Sequence, residues 1–391
     1  MERIGIFGGS FDPPHIGHIH AAKQAMQTLG LDRLLLIPAH TAPHKSGSIA
    51  DATHRFRMLC LAAQDLPNAE VSNMELLRHG LSFTYETVAQ VRTLHPHAEI
   101  FLLMGSDMFL NFWEWKNPEE ILESAALAVF YRGDKGEKAK VEAQKTIFEE
   151  AGYRVRLIDN ETLHISSTQL RRLLAFRCAD EFLPAGVGAY IRQNGLYYVD
   201  ADWERLPMEE LERVVISLLN PNRVAHVLGC RDAAVALAKR WGVNETEAAR
   251  AALLHDVTKA LDGPLQLTLC RCYGKVLDDF SLRYPKTLHA LTGSLVAQRI
   301  FGENRAVVSA IECHTTGKAG MNMLEKIIYV ADYMEPNRDF SGVEALRRLA
   351  FSDMDEALRC GLEMTLEHLK RQGAEVSPAS RDALAYLHVT V

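Results

Sequence analysis

Apolar positions follow two different patterns along the chain, one on each side of about residue 200. Before that point, short unbroken apolar runs occur at Ile4-Gly5-Ile6-Phe7, Leu34 to Pro38, Ile100 to Met104 and Leu127 to Tyr131. Between them, Ile19 to Leu29, Arg55 to Gln64 and Pro118 to Ser124 space their apolar residues as helices do. Short runs without alternation predict strands buried on both faces, and strands separated by helices predict a parallel, doubly wound, Rossmann-like α/β sheet. After about residue 205 the strand signals stop. Long Ala/Leu/Val-rich patterns, as in Ala233 to Arg240 and Ala248 to Ala260, predict an all-α domain. The acidic stretch Val199 to Pro207, which has no periodicity, separates domains expected at residues 1–198 and 207–391.

Composition narrows the function classes. A length of 391 residues suits two or three domains, and 48% hydrophobic with 24% charged residues is ordinary for a folded chain. The net charge of -7 supplies no overall basic field, and both halves are mildly acidic, so no nucleic-acid partner is expected. No apolar run approaches the roughly 20 residues of a membrane helix. Seven cysteines without a CxxC pair, and no charged-then-apolar leader, predict a reduced, cytoplasmic chain. Whether it forms a homo-oligomer is left open by the sequence.

Chemistry concentrates first at the start of the chain. The first strand runs into Gly8-Gly9-Ser10-Phe11 and then His15-Ile16-Gly17-His18. Two glycines let a phosphate approach the backbone, and histidines three apart at a helix start stand where the helix dipole is positive. A tight turn with two surface histidines is the blander alternative. Ile165-Ser166-Ser167-Thr168-Gln169-Leu170-Arg171 offers hydroxyls and free amides at another helix start, with a cationic fork at Arg171.

These two motifs resemble the HxGH and ISSTxxR signatures of the nucleotidyltransferase superfamily. Pro43-His44-Lys45, Ser82 to Thr87, Met104-Gly105-Ser106-Asp107, Trp113 to Lys116, Tyr190-Ile191 and Leu196-Tyr197 narrow the resemblance to nicotinate-nucleotide adenylyltransferases. The resemblance implies transfer of AMP from ATP, with Mg²⁺, to nicotinate mononucleotide, giving deamido-NAD and pyrophosphate. It also implies His15 and His18 near the reacting phosphates, Lys45 and Arg171 on the β- and γ-phosphates, and Gly105 with Asp107 on the adenosine side. Trp115 would stack on the pyridine, and Thr84 would hold its carboxylate. Asp107 as a plain helix cap and Trp115 as a core residue are the competing readings, and the preference for acid over amide nucleotide rests on the resemblance alone. Phosphopantetheine as the adenylyl acceptor is a further alternative.

The helical half carries His226, His255-Asp256, His289, His314 and Asp332 in helical contexts. Such ligands suit Fe, Mn or Zn held between facing helices, and adjacent polar groups in an apolar helix need partners. With Arg223-Val224-Ala225-His226, Ala251 to Asp256, His314 to Gly317 and Lys326 to Arg338, this half resembles YqeK-type HD-domain phosphohydrolases. That resemblance implies one or two divalent ions, Asp256 able to bridge them, and symmetrical cleavage of diadenosine tetraphosphate to two ADP. Lys259 and Arg338 would contact phosphate or pair with nearby carboxylates. A nucleotide sensor without catalysis, or hydrolysis of other nucleotides, is the alternative.

Overall fold

The computed structural model describes residues 1–41, 50–78, 80–133, 136–161, 163 and 165–389. The chain divides into two compact units, Met1–Ala201 and Asp202–Val391.

The first unit is built on six parallel strands, β1 (Arg3–Gly9), β2 (Arg33–Pro38), β3 (Ala69–Val71), β4 (Glu99–Gly105), β5 (Ala126–Phe130) and β6 (Val155–Ile158), in the order β3-β2-β1-β4-β5-β6. The four apolar runs are the four central strands. The two edge strands are short, and the sequence patterns pass them over. Successive residues alternate between faces, so residues two apart share one. Ile4, Ile6, Ile100, Leu102, Leu127 and Val129 pack with Val88, Ile121, Val141 and Phe148 of the helices on one side. Leu34, Leu36, Phe101, Leu103 and Ala128 pack with Ala22, Ala25, Leu29 and Leu59 on the other. Covering both faces is what makes each strand continuously apolar.

The helix after β1, Ile16–Leu29, covers one face, and the short helix after β4, Ser106–Leu110, starts on the other. The strand order reverses between β1 and β4, and doubly wound sheets bind ligands at the carboxyl ends of the strands flanking such a reversal. Both glycine-bearing motifs end there. The helix Glu137–Glu150 buries Val141 and Phe148, and buried Glu137 accepts hydrogen bonds from the Arg132 N–H at 2.8 Å, the Gly133 N–H at 2.7 Å and the Ser106 hydroxyl.

The second unit contains helices and no strand among the described residues. Val224–Trp241 ends on Gly242 at φ 68, a left-handed cap suited to glycine, and Glu245–Leu254 packs against it. Ala233, Ala234, Ala248, Ala251 and Ala252 of these two helices are buried. Leu288–Arg299, Arg305–Cys313 and Met323–Met334 complete the central bundle. The sequence pattern extends the second of these helices to Ala260, but it ends at Leu254, so His255-Asp256 open a turn that aims them inward. Within the acidic stretch, buried Trp203 stacks on Phe301 at 5.5 Å and the Arg205 N–H donates to the Phe301 carbonyl at 2.9 Å, packing this segment into the second unit.

Candidate functional sites

In the first unit, His15 is the extended N-cap residue of Ile16–Leu29 rather than a member of its first turn, and His18 sits at the third helical position. Their rings lie 3.7 Å apart between centroids. The His15 N–H donates to His18 Nδ1 at 3.2 Å, so Nδ1 is the acceptor and a single ring proton sits on Nε2. His15 is buried, and burial, helped by Arg132, pulls its pKa down to about 3, which keeps it neutral near pH 7. Gly17 sits in a tight space. A Cβ there would stand 3.0 Å from His15 Nδ1 and 3.3 Å from Ile165. At Gly8 the same position opens onto free space.

The second motif joins the first through direct contacts. Ser166 caps Ser167–Ala175 in a reciprocal box with Gln169, at 3.2 Å each way. The Ser167 hydroxyl donates to the Pro13 carbonyl at 3.0 Å, and Arg171 donates to the Asp12 carbonyl at 2.7 Å and to Thr168 Oγ1 at 3.2 Å. Residues more than 150 positions apart therefore form one wall beside Gly8, Gly9, Ser10 and Phe11. Phe11 is buried and packs edge-on against His18 at 4.9 Å.

Two buried residues that the sequence reading missed hold this loop. Arg55 donates to the carbonyls of Ser10 at 2.8 Å, His40 at 3.1 Å and Ala50 at 3.2 Å. The Tyr197 hydroxyl, driven toward its protonated form by burial and by Asp12, donates to Asp12 Oδ1 at 2.6 Å. In the sequence, Tyr197 stands out only as part of the motif Leu196-Tyr197. Arg55 has no local signal, because an arginine in a short amphipathic helix reads as solvent-facing.

Asp107 lies in the first turn of Ser106–Leu110 and pairs with Arg132 at 3.1 Å. A Cβ on Gly105 would stand 2.5 Å from Asp107 Oδ1 and 2.6 Å from Arg132 Nε, so that glycine makes room for the pair. Trp115 is half-buried against Phe112, with ring centroids 5.2 Å apart. Thr84 opens the helix Thr84–Leu94, and Lys116 Nζ lies 4.2 Å from the Phe83 ring centroid, bringing the two segments together. Lys45 lies outside the described residues.

In the second unit, His226, His255, Asp256, His289, His314 and Asp332 converge. Asp256 stands at the centre. Its Oδ1 is 3.5 Å from His289 Nε2 and 3.8 Å from His314 Nε2, and its Oδ2 is 3.5 Å from His255 Nε2 and 3.8 Å from His226 Nε2. Asp332 Oδ1 is 3.2 Å from His226 Nε2. Two groups, His226 with His255 and Asp332, and His255 with Asp256 and His314, each keep their ligand atoms within 4.8 Å. Burial pushes the pKa of His255 and His289 well down and that of His314 to about 4, leaving neutral rings.

The donor set fits a divalent cation. His226 Nε2, His255 Nε2 and Asp256 Oδ1 are buried with no hydrogen-bond partner, an arrangement that is costly unless something positive satisfies it. Cations rim the cluster. Arg223, which the sequence reading left out of the site, pairs with Asp256; Arg338 donates to Asp332 at 2.7 Å; Lys259 Nζ is 2.8 Å from His289 Nε2 and 3.7 Å from Asp256. Burial brings the Lys259 pKa down to about 8.

Comparison with known proteins agrees with this division. Residues 6–173 match the family described as cytidylyltransferase-like, and residues 223–337 match the HD domain. A Mycoplasma pneumoniae protein named "Probable nicotinate-nucleotide adenylyltransferase/Ap4A hydrolase" is 29% identical, across 93% of this chain and 98% of its own length. A Thermus thermophilus protein named "Probable nicotinate-nucleotide adenylyltransferase" is 39% identical, across 50% of this chain and 99% of its own. A solved Clostridium acetobutylicum structure, described as a "predicted HD superfamily hydrolase involved in NAD metabolism", is 34% identical across 48% of this chain and 99% of that one, with a TM-score of 0.47. Through its first half, the chain belongs to the nicotinate-nucleotide adenylyltransferase family, and its second half carries an HD domain.

Proposed function

We propose that the chain is a bifunctional enzyme that adenylylates nicotinate mononucleotide in its first unit and hydrolyses diadenosine tetraphosphate to two ADP in its second. The observation carrying the first activity is the union of the two motifs through Ser167 with Pro13 and Arg171 with Asp12. ATP enters as its Mg²⁺ complex, and the phosphate of nicotinate mononucleotide attacks the α-phosphorus in line, expelling pyrophosphate. No covalent enzyme intermediate is required, so placement and charge neutralisation do the catalysis. His18 donates its Nε2 proton to a phosphate oxygen beside the helix N-terminus, and neutral His15 packs against it to fix its orientation. Gly8 and Gly9 admit the phosphates to the backbone of the loop that Ser10 and Phe11 complete. Arg171 and Lys45 take the departing β- and γ-phosphates beside Ser166, Ser167 and Thr168. Gly105 and Asp107 border the adenosine. Trp115 offers a face to the pyridine, and Thr84 binds its carboxylate.

For the second activity, the carrying observation is the set of unpartnered buried ligand atoms around Asp256. His226, His255, His289, His314, Asp256 and Asp332 would hold one or two divalent ions, Fe or Mn among them, with Asp256 between the two ligand groups. Such ions supply an activated water and a clamp on the phosphate oxygens. Lys259 and Arg338 stand at the rim, where they meet the polyphosphate as it enters.

The test is product identification on the purified chain. ATP with nicotinate mononucleotide should yield deamido-NAD and pyrophosphate, with nicotinamide mononucleotide and phosphopantetheine reacting more slowly. Diadenosine tetraphosphate with Fe²⁺, Mn²⁺ or Co²⁺ should yield ADP alone. Absence of ADP with every metal would reduce the second unit to a nucleotide sensor.

A further inference from the structure

All four histidines of the second site fix their rings through Nδ1, but not by the same means. His255, His289 and His314 donate to the main-chain carbonyls of Ala252 at 2.6 Å, Lys286 at 2.9 Å and Ile311 at 2.7 Å, each three residues earlier. A carbonyl can only accept, so each ring is protonated on Nδ1 and turns the Nε2 lone pair inward. Local backbone sets these three orientations. His226 alone relies on a distant side chain: its Nδ1 lies 3.1 Å from Glu335 Oε1, 109 residues away.

Glu335 is built for that contact. It is 1% exposed, and its other oxygen accepts from the Asn337 N–H at 2.7 Å and the Asn337 amide at 2.9 Å. The same Asn337 amide donates to the Ala225 carbonyl at 3.0 Å, tying this brace to the helix that carries His226. A Cβ on Gly229 would stand 2.5 Å from Glu335 Oε2, so only glycine leaves the carboxylate room to lie against that helix. Glu335 directly follows Met323–Met334, whose Asp332 approaches the opposite nitrogen of the same ring at 3.2 Å. One helix end thus addresses both nitrogens of His226.

We propose that Glu335 is a positioning residue of the divalent-metal centre, holding His226 in the tautomer and orientation that presents Nε2 to the ion beside Asp332. This role rests on reading the cluster as a metal site. A carboxylate partner also makes the imidazole a stronger donor than a carbonyl partner does, so His226 is the ligand whose strength a side-chain change can tune.

The test is Mn²⁺ titration of the purified full-length chain by calorimetry, with thermal unfolding recorded in parallel. Glu335→Ala should weaken Mn²⁺ binding about 10- to 100-fold, the range for loss of such partners. Glu335→Gln keeps an acceptor for Nδ1 but loses the charge, and it should fall between wild type and Glu335→Ala. Glu325→Gln is the control, because Glu325 is equally buried but pairs with Lys318 at 2.6 Å and the Asn322 N–H at 2.9 Å, touching no ligand. It should lower the melting temperature and leave Mn²⁺ affinity unchanged. A folded Glu335→Ala chain with wild-type affinity overturns the proposal, as does equal weakening by Glu325→Gln. If Glu335→Ala does not fold, Glu335→Gln decides: wild-type Mn²⁺ affinity in that folded variant overturns the role. A wild-type chain that binds no Mn²⁺, Fe²⁺ or Co²⁺ overturns the metal reading itself, and this role with it.

Discussion

A Cβ on Gly17 would stand 3.0 Å from the Nδ1 of His15, inside the distance at which side chains ordinarily pack. The glycine of the HxGH motif therefore keeps the space that His15 occupies. Gly17→Ala should push the ring off its stack with His18 and cost about 1 to 3 kcal/mol in overpacking. The ring has to give by only a few tenths of an ångström, so we expect a fall in deamido-NAD formation smaller than the roughly 100-fold that a ~1 Å misplacement costs, with cleavage of diadenosine tetraphosphate unchanged. Wild-type adenylyl transfer in Gly17→Ala would contradict the steric account.

Tyr197 and Asp12 give a second prediction. Tyr197→Phe removes the 2.6 Å hydrogen bond and leaves buried Asp12 Oδ1 with the longer Ala50 contact at 3.2 Å. A buried acceptor that loses a donor costs about 1 to 3 kcal/mol. Because Asp12 sits in the loop that Arg171 grips, the change should also raise KM for ATP. Urea unfolding and ATP titration check both parts, and a variant matching wild type in stability and KM would remove Tyr197 from the site's support.

The chain's sequence shows the motifs more readily than it shows what holds them. Gly8 to His18 and Ile165 to Arg171 are legible because phosphate chemistry needs particular residue types at short spacing. The four central strands are legible because burial on both faces makes them uniformly apolar. The β6 edge strand, Val155-Arg156-Leu157-Ile158, carries an arginine toward solvent and lacks that uniformity. Arg55, Arg132, Arg223 and Glu335 work through partners far away in sequence, and local periodicity carries no trace of such pairings. His255-Asp256 is legible as chemistry but not as geometry. The apolar pattern runs through it, whereas the helix ends one residue earlier and the turn directs both side chains to the cluster.

The third prediction concerns pH. The folded chain holds His15 at a pKa of about 3, against about 6.5 for an unperturbed histidine. Between those values the unfolded chain binds a proton that the folded chain does not. Stability from this group is therefore complete above about pH 6.5 and is lost as pH falls toward 3, at up to about 1.4 kcal/mol per pH unit. His15→Gln should unfold with a shallower dependence over this range than wild type. The comparison is needed because the buried histidines of the second unit contribute in the same direction. Equal slopes for the two proteins would show that His15 is not held neutral by the fold.

The last prediction separates the two sites. His18→Ala removes one preorganised donor and should lower adenylyl transfer about 100- to 1000-fold, the usual cost of such a loss. It should leave diadenosine tetraphosphate cleavage intact, since its contacts lie within the first unit. Asp256→Asn should do the reverse, because its carboxylate oxygens lie within 4 Å of all four histidines. Metal binding gives an independent readout. A divalent ion that binds only the folded second unit at 100 times its Kd stabilises it by about 2.7 kcal/mol. Adding Mn²⁺ should thus raise the unfolding midpoint of wild type and of His18→Ala, and raise that of Asp256→Asn much less. Chelation should abolish the rise without affecting that unit's partner activity once Mg²⁺ is restored. Loss of both reactions in either variant would mean that the two sites do not work independently.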